Sequence, residues 1–591
     1  MPNACRRSWL IAVINFSLIA ACARTLDRPI EGRAKKTSAS FVTSRSFDAA
    51  FRDFAVAADE PQAAGAGAEI LAQGGNAADA AAATMLALGV SSFASSGLGG
   101  GGFLLYYDAA SHTLTFLDFR EFAPSAAKAT MFKNALSRSS AKEFNSPSQY
   151  GGLAVAVPGE PAGIEALLDE FGSMPRADVV KPALRLAEEG FVVSKRIAVM
   201  SQPLARDLAK DPHARTLLGS DLKGFVAGSK LKRPELASTL RVFAKEGARP
   251  FYSGAIAKSV VATANKHGGV LTMKDLATYR VKKRTPLEKS VFGFRWVSAP
   301  PPSAGGYILL ASLALLEHWA PQAQPSQAWW LHAFAESFKG PFIDRAAYIG
   351  DPDFVVVPLD ALMSIQRIAR RAKLFDPDRA VSPFRYALPL AKNSPQQADA
   401  KHGGGTSHFC VVDARGNVAS VTTTINLPFG ARITAEGMFL NNEMDDFANP
   451  SGEKNAFGLS ASSVNYPGPH HRPVSSATPT IVFKGNQPVL CIGGVGGSRI
   501  VTAVLQTAYY ALIAGNPAGS SVALPRIHHQ GEPDILSHET FDASTLKELR
   551  GMGYTLESSE YGGSVQMIRI SGYGTLHAVS DPRKGGKPAG R

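Results

Sequence analysis

Residues 402–409 read HGGGTSHF. Three glycines run directly into a threonine that opens an apolar, strand-like stretch, SHFCVVD. The hydroxyl of Thr406 is a weak nucleophile that needs a base. Two arrangements account for the pattern: a loose loop feeding a strand, or a peptide bond placed to be broken. Glycine suits the second because it adopts backbone conformations that other residues resist. His408 does not serve Ser407 as a base, because neighbours in a strand point to opposite faces; it reads as a structural histidine. A second glycine run, GGVGGSRI (493–500), enters an apolar helix. Such a turn aims backbone N–H groups at an anion. It lacks the Gly-Lys-Ser/Thr of a phosphate loop, so its functional reading is an oxyanion hole for acyl transfer. Its structural reading is a tight strand-to-helix turn. Gly97, Gly99 and Gly102 satisfy G-x-G-x-x-G, but a hairpin rather than a helix follows, which argues against a dinucleotide site. No HExxH, paired CxxC or EF-hand pattern occurs, so neither a metal nor a cofactor is implied. The acidic run NNEMDDF (441–447) reads by itself as a capped, solvated turn.

These residues need elements to hold them. AGAEILAQGGNAADAAAATMLALGV is Ala-rich and helical, broken at Gly74-Gly75, with Asn76 a good N-cap for the second helix. FLLYYD and TLTFLDF form a hairpin. Residues 160–290 carry mostly helical patterns with charged faces. A Pro/Gly loop, APPPSAGG, opens a buried helix, and another helix precedes Gly350 and Pro352. Residues 377–405 lose apolar periodicity and read as a flexible segment ending at the glycines. SHFCVVD and VASVTTTIN then form a second hairpin around the turn ARGN, and PTIVF and QPVLCIGG add strands. Two strand clusters with helices between and after them predict stacked sheets covered by helices.

With 45% hydrophobic and 19% charged residues the chain is globular rather than disordered. Its net charge of +13 is scattered, without basic runs interleaved with aromatics, so nucleic-acid binding is disfavoured. Residues 1–23 read as an export leader: Arg6-Arg7, then an apolar core too short for a bilayer span. Ala21-Cys22-Ala23 fits a small-x-small cut. Ile19-Ala20-Ala21-Cys22 resembles a lipobox, a lipoprotein signal ending at Ala21 with lipid on Cys22. Either exports the chain to a periplasmic or secreted location, membrane-anchored only if Cys22 is lipidated. Residues 24–60 read as a linker. Cys410 and Cys491 lie in apolar strand-like runs and are expected as buried thiols.

Nine segments together resemble the γ-glutamyltranspeptidase family. They are GGNAADAAAATMLALGV, SSGLGGGGF, LDFREFAP, PPPSAGG, GDPDF, GGTSHFCVVDARGNVASVTTTIN, FLNNEMDDF, RPVSSATPT and GGVGGSRI, in family order from about residue 60 to 583. The resemblance implies an αββα sandwich of the N-terminal-nucleophile hydrolase type. It implies a precursor that cuts itself at Gly405–Thr406 into a large subunit (61–405) and a small one (406–591), which stay together as a heterodimer. Thr406 would be the nucleophile, and its freed α-amino group the base. Thr424 would orient it, while Thr422 and Thr423 remain ordinary strand residues. The Gly496 and Gly497 amides would form the oxyanion hole. Arg120, Ser475 and Ser476 would bind the glutamyl α-carboxylate, and Asn426, Glu443 and Asp446 the α-ammonium. Phe457 falls in a lid loop running from Ala448 to about Pro469. The implied reaction is transfer of a γ-glutamyl group from glutathione or its relatives to water, an amino acid or a dipeptide. A related amide acylase, for cephalosporin, glutaryl or poly-γ-glutamate substrates, is the alternative on the same fold. An unprocessed exported binding protein is the alternative outside enzymes.

Overall fold

Strand Thr406–Val412 separates two environments. Its odd-numbered residues Phe409 and Val411 join a core with helices, while Cys410 and Val412 join a core shared with a second sheet. This alternation follows from the two-residue period of a strand. The computed structural model describes residues 40–132, 146–322, 326–390, 405–452, 454–459 and 461–591. The leader, with Cys22, and residues 391–404 of the expected flexible segment lie outside them.

The strand pairs antiparallel with Val418–Thr424, in a register that sets Thr406 opposite Thr424 and His408 opposite Thr422. The hairpin Gly101–Asp108 and Thr113–Phe119 extends the same sheet on the far side of Val418–Thr424. Eight strands complete it, in the order Val42–Thr43, Ala589–Gly590, Ala55–Ala58, Thr406–Val412, Val418–Thr424, Gly101–Asp108, Thr113–Phe119, Lys282–Arg284. The second sheet has seven: Asp48–Phe51, Leu576–Ser580, Ser564–Ile570, Gln487–Val495, Thr480–Lys484, Phe294–Ser298, Leu287–Val291.

Three apolar cores define four layers. The first lies between the eight-stranded sheet and helices that include Pro61–Ala72, Ala77–Ser91 and Arg176–Glu189. The second, with Val412, Val418, Ile481, Phe483 and Ile568, lies between the sheets. The third lies between the seven-stranded sheet and helices Gly305–Trp319, Gln327–Tyr348 and Arg499–Leu512. This is the expected αββα sandwich. Asn76 caps Ala77–Ser91 as expected, and its own N–H donates to Asp79, closing a capping box. Among the described residues no helix is long and apolar enough to cross a membrane.

Two expectations are corrected. Residues 42–58, placed in a linker, supply strands Val42–Thr43, Asp48–Phe51 and Ala55–Ala58, which pair with strands from the C-terminal part of the chain. Runs of two to four residues are too short to show a period. Cys410 and Cys491 are not separate thiols but a disulfide, with Cα atoms 6.0 Å apart. Each sits on a different sheet, and stacking brings them within bridging range. Both follow residue 405, so the bridge does not join the two expected subunits.

Candidate active site

The hairpin of Thr406–Val412 and Val418–Thr424 sets Thr406 and Thr424 side by side. Their hydroxyl oxygens are 3.1 Å apart. Thr424 donates to the Gly405 carbonyl at 2.9 Å and accepts from the Asn426 N–H at 2.8 Å. Its one proton is thereby used on Gly405, so the Thr406 hydroxyl is the donor between the two threonines. Asn426 takes φ 73°, a left-handed conformation that asparagine tolerates, and its carbonyl accepts from the Gly405 N–H at 2.8 Å. Gly405 is not itself left-handed. A Cβ there would stand 2.9 Å from the Leu427 carbonyl carbon and 3.0 Å from the Ala94 oxygen. Space, rather than backbone freedom, excludes a side chain at this position.

His408 lies on the same face as Thr406, with Ser407 on the other, where its hydroxyl is 3.5 Å from that of Ser92. The His408 ring bonds Thr422 at 2.9 Å and fills the space in front of Gly493, whose Cβ would meet it at 2.2 Å. Burial lowers its pKa to about 3, so it is a neutral packing residue between the sheets.

Thr406, Thr424, Arg120, Asn426, Glu443, Asp446, Ser475, Ser476 and Gly497 line one cavity. Arg120 follows strand Thr113–Phe119 and is 1% exposed. Its guanidinium reaches Glu443 at 2.7 Å and Asp446 at 2.5 Å, with Glu121 at 3.9 Å. Burial opposes its charge, but Glu443, Asp446 and Glu121 outweigh burial and hold it firmly protonated. Burial likewise raises the pKa values of Glu443 and Asp446, against the pull of Arg120. Two acids and one arginine thus share a site that is charged yet nearly dry. The acidic run is a one-turn helix, Glu443–Asp446, but a buried one and not a solvated turn. Ser475 is pinned through its backbone to Pro302 and Ala304, in the loop that opens Gly305–Trp319. Gly496 and Gly497 have φ of 132° and 61°, and a Cβ on Gly497 would overlap the Phe457 ring at 2.3 Å.

A family model described as gamma-glutamyltranspeptidase matches residues 63–591. The chain belongs to the γ-glutamyltranspeptidase family. It is 36% identical over 587 residues to the glutathione hydrolase proenzyme of Escherichia coli (strain K12), covering 98% of each chain. To that of Bacillus subtilis (strain 168) it is 35% identical, covering 99% of each. Among solved structures it resembles Helicobacter pylori gamma-glutamyltranspeptidase, with TM-score 0.53 and 31% identity over 61% of this chain and all of that one. A cephalosporin acylase from Bacillus halodurans shares the fold, with TM-score 0.80 at 24% identity over 94% of this chain and 99% of that one.

Two residues at this family site were beyond the motifs. Arg345, 2% exposed on helix Gln327–Tyr348, lines the cavity. Burial lowers its pKa to about 10, with Asp446 opposing the shift. It lies five residues before GDPDF, the only local signal. Lys584 donates to the Thr406 carbonyl at 2.5 Å and pairs with Asp59. Burial lowers its pKa to about 8 against the attraction of Asp59. No spacing rule links 584 to 406, and Asp59 follows a strand that the sequence reading placed in the linker.

Proposed function

We propose that the chain cuts itself at Gly405–Thr406 and then acts as a γ-glutamyltransferase and glutathione hydrolase. One observation carries this. The Thr406 and Thr424 hydroxyls and the Gly405 carbonyl are joined by hydrogen bonds at the cavity that also holds Arg120 with Glu443 and Asp446. In the uncut chain Thr424 polarises the carbonyl that Thr406 attacks. In the cut enzyme the freed amine, with an unperturbed pKa of about 7.7–8, takes the Thr406 hydroxyl proton. The Lys584 ammonium beside the Thr406 carbonyl lowers that affinity further. Because His408 stays neutral, it does not supply the acid limb of the activity profile.

The α-carboxylate of a γ-glutamyl donor pairs with Arg120 and accepts from Ser475 and Ser476. Its α-ammonium meets Asn426, Glu443 and Asp446, so a zwitterionic head replaces an internal ion-pair network of matching charges. Thr406 attacks the γ-amide, the Gly496 and Gly497 amides hold the developing oxyanion, and the amine leaves with the proton. The γ-glutamyl ester then passes to water or to an amino acid or dipeptide. The paired subunits, an exported location and the leader in residues 1–23 belong to the same proposal.

Release of p-nitroaniline from its γ-glutamyl derivative, with a glutaryl derivative as comparison, tests the reading. Turnover of the glutaryl amide alone sinks it in favour of an acylase. Thr424→Val keeps the side-chain shape and removes the hydroxyl. It is expected to slow the appearance of the two fragments by about 10²-fold, followed on a denaturing gel over time. Arg345→Gln removes a charge that favours ionised Asp446. It is expected to raise KM for the γ-glutamyl donor severalfold, with a smaller change for an analogue lacking the α-amino group.

A further inference from the structure

Among the buried polar clusters to which the acyl-transfer reading gives no role, one adjoins the Gly496–Gly497 turn. Ser498 directly follows the Gly496–Gly497 turn and occupies the N-cap position of helix Arg499–Leu512, yet makes no side-chain capping bond. Its hydroxyl donates instead to Gln530 Oε1 at 2.7 Å. His528 Nε2 stands 3.0 Å from the same oxygen, and the Thr502 hydroxyl 3.0 Å from His528 Nδ1. Burial pushes the His528 pKa well below its ordinary value, so the ring is neutral. It then donates from Nε2 to Gln530 and accepts at Nδ1 from Thr502. Gln530 Oε1 is thereby filled by two donors, which orients its Nε2 toward carbonyls. Those are Gly458 at 3.2 Å and Glu532 at 3.4 Å.

Gly458 follows Phe457, the ring that stands against Gly497. One side-chain amide therefore holds the glycine turn at Ser498 and the loop Ala448–Pro469 at Gly458. The same loop is fixed elsewhere to the acidic turn: the Ala456 N–H donates to Asp445 at 2.9 Å and Asn455 Nδ2 to Asp446 Oδ1 at 3.2 Å. Loop, acidic clamp and oxyanion turn are parts of one hydrogen-bonded frame, and Gln530 is its joint.

We propose that Gln530 is a positioning residue that couples closure of the loop Ala448–Pro469 to placement of the Gly496–Gly497 amides. The inference rests on the acyl-transfer reading above. Loss of the Ser498 arm misplaces the oxyanion donors and slows acylation. Loss of the Gly458 arm loosens the loop and lets water compete with an acceptor for the ester.

Three variants separate the arms. Ser498→Ala removes only the turn arm. Gln530→Glu keeps an oxygen for Ser498 and loses the donor to Gly458. Gln530→Met loses both. Single-turnover release of p-nitroaniline from its γ-glutamyl derivative reads acylation. The ratio of free glutamate to γ-glutamylglycylglycine, with glycylglycine as acceptor, reads the fate of the ester. Ser498→Ala is expected to slow acylation about tenfold with the product ratio of the parent enzyme. Gln530→Glu is expected to raise the glutamate share about twofold or more with a smaller loss of acylation, and Gln530→Met to show both effects. A parental acylation rate in Ser498→Ala, or a parental product ratio in Gln530→Glu, overturns the coupling. If Gln530→Met does not mature into two fragments, the other two variants still decide. A parent enzyme that releases no p-nitroaniline refutes the acyl-transfer reading instead.

Discussion

Thr406→Ala is expected to run as one uncut chain on a denaturing gel and to lose activity by about 10⁴-fold or more. Two losses coincide. Without the hydroxyl nothing attacks the Gly405 carbonyl, so the α-amino base is never freed. The methyl side chain also leaves the γ-amide without a nucleophile. The fold should survive, because the hydroxyl's one bond is to Thr424, which keeps its bonds to Gly405 and to Asn426. Thr406→Ser restores a hydroxyl at the same atom and is expected to recover two fragments and measurable turnover. Cutting of Thr406→Ala between residues 405 and 406 would sink the self-cleavage mechanism.

Arg120→Met is expected to abolish use of γ-glutamyl donors and to destabilise the protein as well. The guanidinium is the cation shared by Glu443, Asp446 and, more distantly, Glu121, all buried. Removing it leaves acids in a dry site, where breaking a buried pair costs about 3–5 kcal/mol. The acids then take up protons, which weakens the clamp for a substrate ammonium in addition to the lost carboxylate partner. A fall in kcat/KM on the order of 10³-fold is expected, with a lower Tm. Arg120→Lys keeps a charge but not a fork that spans two carboxylates, so it should recover stability better than activity. Parental Tm in Arg120→Met would show that the carboxylates are not held by this residue.

Much of this was legible in the sequence because much of it is local. The turn ARGN sets the hairpin register, and the register alone puts Thr406 opposite Thr424. The two Ala-rich helices and their break at Gly74-Gly75 follow from spacing and a cap. The motifs named Arg120, Glu443, Asp446 and Ser475, which one cavity unites. What stayed hidden depends on how the sheets stack. The Cys410–Cys491 bridge, the Lys584 contact to Thr406, and Gln530 between Ser498 and Gly458 are all long-range. Strands of two to four residues near the start carry too few positions for a pattern. The glycine before Thr406 was read for its backbone freedom, whereas the packed walls of Leu427 and Ala94 set the requirement.

Strand Ala589–Gly590 sits between Val42–Thr43 and Ala55–Ala58, and Thr406–Val412 between Ala55–Ala58 and Val418–Thr424. Each sheet is thus woven from segments on both sides of residue 405. Scission at that bond consequently changes the molecularity of folding. The intact chain assembles this weave in a first-order reaction, at a yield indifferent to dilution. Once nicked and denatured, the same polypeptide must regain it from two separate molecules, at a yield that falls with concentration. Under the self-cleavage proposed above, cutting would act as a ratchet: it would follow from the native arrangement and make the route back to that arrangement slower.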